Sequence, residues 1–332
     1  MRFLQTADLH LGKSRKLPDY LPRQQQMLRQ IFSLAKQEQV DALVIAGDIY
    51  DRTDLRDEER NIFLEILLQY DGKFPILIIN GNHCMHGHEQ LTALHFLKTL
   101  ENHDKFKSVH IAELEPRIVS IMGVDFALLP YRYYNSQTFA TAARSLVAQA
   151  TEDKIVVVCH ECINGASTDT GWKASHGFIE LPNIPEVTFW ALGDIHKQQA
   201  VRKNAHYPGS PIQHTFGDAP TGKGVLLVDT DHPTTIQKIP LLGIKPLLTL
   251  TEVPDEWPDA YIRIVGIKEV PRDLPDDVIY TSPQEQEPID IAVQDDILQG
   301  LIEVLADRGL KGQHQAEAIE LATGLLKSIN VD

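Results

Sequence analysis

Three things are scarce in this chain of 332 residues, and each scarcity excludes a class of protein. Cysteine is the first: Cys84, Cys159 and Cys162 are an odd number, with one C-H-E-C pair and no second pair elsewhere. That makes neither a disulfide framework nor a structural zinc site, and it points to reduced thiols in a reducing compartment. Long apolar runs are the second: none reaches about 18 residues, and the start lacks the charged, apolar and small-residue sections of a secretory signal. No membrane span is expected, and the expected location is cytoplasmic. Positive charge is the third, with 31 Lys and Arg against 46 Asp and Glu and a net charge of −15, which argues against a non-specific binder of polyanions. The deficit is uneven. Residues 246–332 carry 18 acidic against 6 basic side chains, whereas the first 30 residues hold Arg2, Lys13, Arg15, Lys16, Arg23 and Arg29 against Asp8 and Asp19. The N-terminal body can still meet DNA.

Within that body, short apolar runs alternate with helical periodicity: a strand at Phe3-Leu4, then a helix over 24–36, a strand over 42–46, a helix over 61–70 and a strand over 74–80. This alternation predicts an α/β sheet with helices packed on it. A helix over 89–100 follows, with Leu91, Leu94, His95 and Leu97 at helical spacing. Strands over 118–121, 126–129, 155–159, 187–192, 225–228 and 236–239 then predict a further sheet facing the first. After Leu242, Pro, Asp and Glu become frequent around two strand-like runs, 247–250 and 261–265, and residues 273–288 read as a polar, Pro-rich linker. Two amphipathic helices follow, one with Ile297, Leu301 and Leu305, the other with Ile319, Ala322, Leu326 and Ile329. The expected organisation is a body over 1–242, a small α+β capping domain and linker over 243–290, and a helical pair over 291–332.

Five segments each stand just after an expected strand: Asp8-Leu9-His10, Gly47-Asp48-Ile49-Tyr50-Asp51, Gly81-Asn82-His83-Cys84, Cys159-His160 and Gly193-Asp194-Ile195-His196. Any one of them alone reads more readily as turn chemistry. Together they place acid, amide and imidazole groups at the strand ends where α/β sheets hold ligands. Such oxygen and nitrogen donors suit Mn²⁺, Fe²⁺, Zn²⁺ or Mg²⁺, and the lack of clustered thiolates argues against an iron–sulfur site.

In this order the segments resemble the calcineurin-like metallophosphoesterases, whose pattern is D-x-H, G-D-x-x-D, G-N-H-D or E, a lone His, and G-H-x-H. The closer resemblance is to the SbcD branch, the nuclease subunits of SbcCD-type complexes and counterparts of the meiotic-recombination-eleven nuclease. It is carried by Thr6-Ala7-Asp8-Leu9-His10-Leu11-Gly12, Val44-Ile45-Ala46-Gly47-Asp48, Ala191-Leu192-Gly193, and Tyr207-Pro208-Gly209-Ser210-Pro211-Ile212 through Phe216. It extends over roughly residues 1–265. The resemblance implies a four-layer sandwich of two facing mixed sheets flanked by helices, and metal-dependent exonuclease and endonuclease action on DNA ends or hairpins. It also implies two divalent ions, Mn²⁺ foremost with Mg²⁺ or Fe²⁺ as alternatives. Asp8, His10 and His196 would hold one ion and Asn82, His160 and Asp194 the other, with Asp48 bridging. His83 would stabilise charge or protonate the leaving oxygen, and Asp51 is either a hydrogen-bonding group near the site or a helix N-terminal acid. Two positions depart from the pattern. Asp194 replaces a histidine and, as a further carboxylate, favours harder ions; Cys84 replaces an acid and carries no charge unless it is a thiolate.

Gly217 to Lys223 has phosphate-loop spacing, but Gly224 stands where a Ser or Thr should hold magnesium and a strand follows, so no nucleotide cofactor is expected in this chain. His86, His88, His95 and His103 read as solvated faces. Lys13, Arg15 and Lys16 are expected to meet DNA phosphates; Tyr131 and Arg132, with Tyr133 and Tyr134, either stack on unpaired bases or simply pack at a strand end. The resemblance further implies an SbcC-like coiled-coil ATPase as partner, gripped by the terminal helices unless these pack on the capping domain. It also implies a homodimer through residues 61–70 and 89–100, with Leu94, Phe96 and Leu97 as apolar surface, unless these residues only cover the sheet. Two rivals stand beside the nuclease: a phosphoesterase acting on a small nucleotide or a phosphoprotein, and a non-catalytic scaffold at DNA ends.

Overall fold

A computed structural model describes residues 1–85, 92–175, 178–266 and 274–282. Its first elements are β1 (Arg2–Thr6), α1 (Tyr20–Gln37), β2 (Ala42–Ala46), α2 (Asp57–Tyr70), β3 (Ile76–Ile79), α3 (His95–Asn102) and β4 (Val109–Ala112). Next come β5 (Arg117–Ile121), β6 (Val124–Leu129), α4 (Ser136–Val147), β7 (Lys154–His160), β8 (Val187–Gly193), β9 (Gln199–Arg202) and β10 (Ala205–Tyr207). The last are β11 (Gly224–Asp229), β12 (Gln237–Pro240), β13 (Leu247–Leu250), β14 (Tyr261–Val265) and β15 (Val278–Ser282). One sheet has the order β12-β11-β1-β2-β3-β4, the other β5-β6-β7-β8-β10-β9, and a three-stranded sheet has β13-β14-β15. Met1–Leu250, Pro254–Arg263 and Pro275–Tyr280 form one compact unit, to which the residues discussed below belong.

The period of two along each strand divides the interior into layers. On β2, Ala42, Val44 and Ala46 face the layer between the sheets, while Leu43 and Ile45 face the helices. On β7, Val156 and Val158 face inward and Ile155, Val157 and Cys159 face α4. Phe3 is fully buried in the central layer, edge-on to Phe126 and Phe189 of the opposite sheet at centroid distances of 5.5 and 5.8 Å. Gln5 is a buried polar tie across that layer, donating to the carbonyls of Leu192 and His206. Helices α1 and α2 cover the first sheet through Met27, Leu28, Ile31 and Phe32, and Ile62, Phe63, Ile66 and Leu67. With α4 on the second sheet, this is the expected four-layer sandwich.

Several expectations are corrected. Strands β11 and β12 do not extend the second sheet: β11 pairs antiparallel with β1 and returns the chain to the first. The run from residue 118 onward is not all strand, because α4 intervenes, its N-terminus capped by the Asn135 side chain on the Thr138 amide. The helix expected from residue 89 begins at His95; Thr92 makes a bridge to Met85, and its hydroxyl accepts from the Leu94 amide. Leu94 and Leu97 lie fully buried in the chain's own core, so they offer no surface to a second copy. The expected linker contributes β15, as its Val278-Ile279-Tyr280-Thr281 run suits a strand. His86, His88 and the two terminal amphipathic helices lie outside the described residues. Among the described residues no helix is long and apolar enough to cross a membrane.

Candidate metal centre

Strands β1, β2 and β3 run parallel in one sheet, and β6, β7 and β8 run parallel in the other. Hydrogen bonds from His160 to Ala46 and from Asp194 to Asp8 join the two sets of carboxyl ends at the same end of the sandwich. Asp8, Asp48, Asn82, His160 and Asp194 stand there. The first two loops are laced together, with the amides of Asp8 and His10 donating to the carbonyls of Gly47 and Asp48 at 3.1 and 2.9 Å. The backbone turns so sharply that Asp8, His10, Asp48 and Asp194 adopt φ of 54, 44, 47 and 98°, a region non-glycine residues seldom enter. Gly193 is required beside them: a Cβ there would lie 1.9 Å from the Ala46 carbonyl oxygen and 2.6 Å from His160 Nδ1.

Three imidazoles have Nδ1 turned outward from the cluster toward an oxygen, that of His160 in a hydrogen bond and those of His10 and His196 facing carboxylates. His160 Nδ1 donates to the Ala46 carbonyl at 2.8 Å, because a carbonyl can only accept. Its Nε2 then faces three oxygens: Asn82 Oδ1 at 3.0 Å, Asp48 Oδ2 at 3.3 Å and Asp194 Oδ1 at 3.8 Å. His10 Nδ1 lies 3.2 Å from Asp51 Oδ1 and His196 Nδ1 lies 3.7 Å from Asp218 Oδ1, while their Nε2 atoms face one another at 3.0 Å. Asp48 Oδ2 is also 3.5 Å from His10 Nε2, so this carboxylate stands between the two imidazole groups.

Such an arrangement sets lone pair against lone pair unless a proton or a cation stands at each meeting point. Asp8 gives the clearest sign of which is wanted. Its Oδ1 accepts from the Asp194 amide at 3.1 Å, but Oδ2 is buried with no hydrogen-bond partner, beside His10 and His196. An orphaned carboxylate oxygen converging with two imidazole nitrogens fits a divalent cation. Asp8, Asp48 and His160 converge as a second group. Electrostatics agree: burial pushes the carboxyls of Asp8 and Asp194 up. Burial opposes ionisation of Asp48 too, but His160 and His10 outweigh it and hold that carboxyl well below its ordinary range.

The structure brings together all seven expected ligand residues, with Asp194 the most peripheral. His83 is 42% exposed at the edge, its ring 4.7 Å from that of His10, its Nδ1 2.9 Å from the Asp51 carbonyl and its amide donating to Asp48 Oδ1. Asp51 is not a helix-terminal acid, since α2 starts at Asp57; it sits between His10 and Lys13, whose Nζ is 2.9 Å away. Cys84 points away into the core beneath α2 and α3, its thiol pushed up to about 12 by burial, so it is neutral and supplies no charge beside His83. Among the residues expected to meet DNA, Lys13 is engaged by Asp51, Arg15 by Glu59 at 2.7 and 2.6 Å, and Arg132 by Glu115. Lys16 is exposed, and Tyr131 is half-buried edge-on to Tyr133.

Three residues escaped the sequence reading. Asp218 and His214 lie in the segment dismissed as a false phosphate loop and just before it. His214 Nε2 donates to the Asp8 carbonyl at 2.7 Å, and its ring packs 5.1 and 5.4 Å from those of His10 and His196. Asp218 faces His196, with Oδ2 fixed by the amides of His214 and Thr215. Glu161 is buried next to His160 and pushed up to about 8 by burial, so it is largely protonated at neutral pH.

The family model for calcineurin-like phosphoesterases matches residues 1–202. The chain belongs to that family. It is accordingly a metal-dependent phosphoesterase. Two curated relatives each carry a name that makes them a subunit of the nuclease SbcCD. The one from Staphylococcus epidermidis is 26% identical over 291 residues, covering 81% of this chain and 76% of its own length. The one from Bacillus subtilis is 28% identical over 282 residues, covering 75% and 71%. A solved archaeal phosphodiesterase is 13% identical with a TM-score of 0.36, covering 73% of this chain and all of its own.

Proposed function

We propose that this phosphoesterase cleaves phosphodiester bonds in DNA ends or hairpins as the nuclease subunit of a complex with an SbcC-type coiled-coil ATPase. One observation carries the hydrolytic part: imidazole nitrogens and carboxylate and amide oxygens from five strand ends converge at points that a proton or a cation must occupy, and Asp8 Oδ2 is left there with no hydrogen-bond partner. Similarity over about three quarters of the chain to proteins named as SbcCD nuclease subunits supports DNA as the substrate. Asp8, His10 and His196 would hold one divalent ion, Asn82, His160 and Asp194 the other, and Asp48 both. Such ions, when bound, lower the pKa of water and neutralise charge on phosphodiester oxygens; the oxygen-rich donor set favours Mn²⁺, with Mg²⁺ or Fe²⁺ as alternatives.

The chain's own groups then act around that charge. His83 has its Nδ1 held by the Asp51 carbonyl, so Nε2 is the free nitrogen, and in the imidazolium form it would donate a proton to the leaving oxygen and leave the ring neutral with its proton on Nδ1. Asp51 fixes the ring of His10 while Lys13 balances its charge. A homodimer through α2 and α3 belongs to this reading, with Leu68 and Phe96 as the partly or largely exposed apolar residues.

The test is cleavage of hairpin and open-ended DNA in Mn²⁺, with and without a purified SbcC-type ATPase, beside a chromogenic phosphodiester. Cleavage of DNA is expected, with His83→Ala lowering kcat by about 10²–10⁴-fold while ion binding persists. Hydrolysis of the chromogenic compound without cleavage of any DNA would favour a small-nucleotide phosphoesterase. The neutral Cys84 and the aspartate at 194 favour, as a second reading, a scaffold that binds DNA ends without turnover; it predicts no cleavage and no effect of His83→Ala.

A further inference from the structure

A cavity of about 680 Å³ adjoins the metal centre, with His214 in its wall. Four cationic side chains line it, Arg15, Lys16, Arg52 and Arg263, and among the described residues no carboxylate does. Two of them are already matched: Arg15 chelates Glu59, and Arg52 lies 3.3 Å from Asp51. The other two are not. Lys16 makes no ion pair among the described residues, and the Arg263 guanidinium bonds only the Thr249 hydroxyl, at 3.2 and 2.9 Å. Its carbon stands 5.1 Å from the centre of the Phe216 ring. Phe216 in turn packs on the buried Leu17 and Leu247, so a planar aromatic surface is fixed beside these cations, in a wall that Ser14, Ile279 and His214 complete.

Two uncompensated cations demand an anion, and the fixed ring offers a flat apolar partner. Inorganic phosphate would leave the ring uncovered, and an acidic peptide has no use for it. A nucleotide supplies both a phosphate and a planar base, and sites for ligands of that size span roughly 300–1,000 Å³. We infer that this cavity receives one unpaired nucleotide of the DNA strand next to the phosphodiester under attack. Its base lies on Phe216, and its phosphate lies between Lys16 and Arg263. The inference rests on the nuclease reading above.

The test uses the full chain in chelator, so that no turnover occurs, with a labelled single-stranded oligonucleotide, a blunt duplex and deoxyadenosine monophosphate as separate arms. Phe216→Ala and Phe216→Leu should each weaken oligonucleotide binding by roughly 5- to 100-fold, as loss of base stacking does. Arg263→Gln should reduce the slope of log affinity against log salt by about 1. The blunt duplex should lose far less. Unchanged Mn²⁺ binding by calorimetry shows that each variant is folded. If wild type binds the oligonucleotide and all three variants bind it equally well, the cavity is not the subsite and the nuclease reading stands. If the monophosphate binds in a Phe216-dependent way while no DNA is bound or cleaved, the strand assignment and the nuclease reading fall together. Equal losses for oligonucleotide and duplex would also overturn the assignment to an unpaired nucleotide.

Discussion

Asp218 provides the sharpest test of how the site is held together. Its carboxylate is pinned by two backbone amides, at 2.7 and 3.1 Å, and faces Nδ1 of His196 at 3.7 Å. Burial opposes its ionisation, but His196 and the His214 amide outweigh this and hold it well below its ordinary range, so it is charged at neutral pH. The pinned charge favours a proton on the Nδ1 of His196 that faces it, which leaves Nε2, 3.0 Å from His10 Nε2, as the ligating nitrogen. Removing such a supporting carboxylate costs about 10–100-fold in metal affinity, equivalent to about 1.4–2.7 kcal/mol. Asp218→Ala is therefore expected to weaken one of two bound Mn²⁺ ions by that factor and leave the other nearly unchanged, because His160 takes its orientation from the Ala46 carbonyl instead. Titration calorimetry on metal-stripped protein reads both ions. Asp218→Glu should recover part of the loss. Two unchanged affinities would refute the argument, and equal loss at both ions would show that Asp218 supports the loop rather than one ligand.

Four further outcomes follow from the packing. Phe3→Ala removes a fully buried ring between the sheets and should cost about 3–5 kcal/mol in urea unfolding. Gly193→Ala should abolish tight binding of the ion assigned to His160, since the added carbon would overlap the Ala46 carbonyl oxygen and crowd His160; an ordinary calorimetric trace would contradict this. Glu59 is buried and its carboxyl is lowered, burial being outweighed by Arg15, so the stability from this pair is present above about pH 4.5 and fades as pH falls through the lower folded value. Glu59→Gln should thus cost about 1–3 kcal/mol at pH 7, less than for a fully buried pair because Arg15 is partly exposed, and progressively less in acid. Saturating Mn²⁺ at about 100 times Kd should add about 2.7 kcal/mol per ion, seen as a rise in Tm that chelator reverses.

The ligands were legible in the sequence because each stands at or just past the end of a buried β-branched or aliphatic run, and Asp48, Asn82 and Asp194 each follow a glycine that signals a sharp turn. The strands carrying them were legible for the same reason. Helix α4 was not, because its apolar face is Phe139, Ala143, Leu146 and Val147, diluted by alanine, serine and threonine until its periodicity is faint. The place of β11 was hidden because its alternation is the same in either sheet; only its antiparallel register with β1, from Arg2 against Asp229 to Gln5 against Leu226, decides it. Asp218 was missed because it lies past the last recognised motif, in a segment judged for a different chemistry, and His214 because it stands inside the Tyr207 to Phe216 segment, which was read only as a mark of the resemblance. The Phe-Gly-Asp turn just after His214 was the available signal, and only distances could reveal its target.

Four of the nine described non-glycine residues with positive φ fall within the cluster of conflicting side chains, and that overlap bears on function. Asp8, His10, Asp48 and Asp194 each occupy a left-handed conformation, at about 1–3 kcal/mol apiece, and the same loops set imidazole lone pairs against one another and against carboxylates. Neither cost serves the fold, since the layers on both sides are closed by apolar packing that requires no charge at the strand ends. The sandwich must instead carry them, through ladders on either side that leave these loops no freedom to relax, and through close approaches at Gly47, Gly81 and Gly193 that no side chain could share. A group of donors held rigid and mutually repulsive is already arranged for cations, so little of their binding energy need be spent on ordering the site.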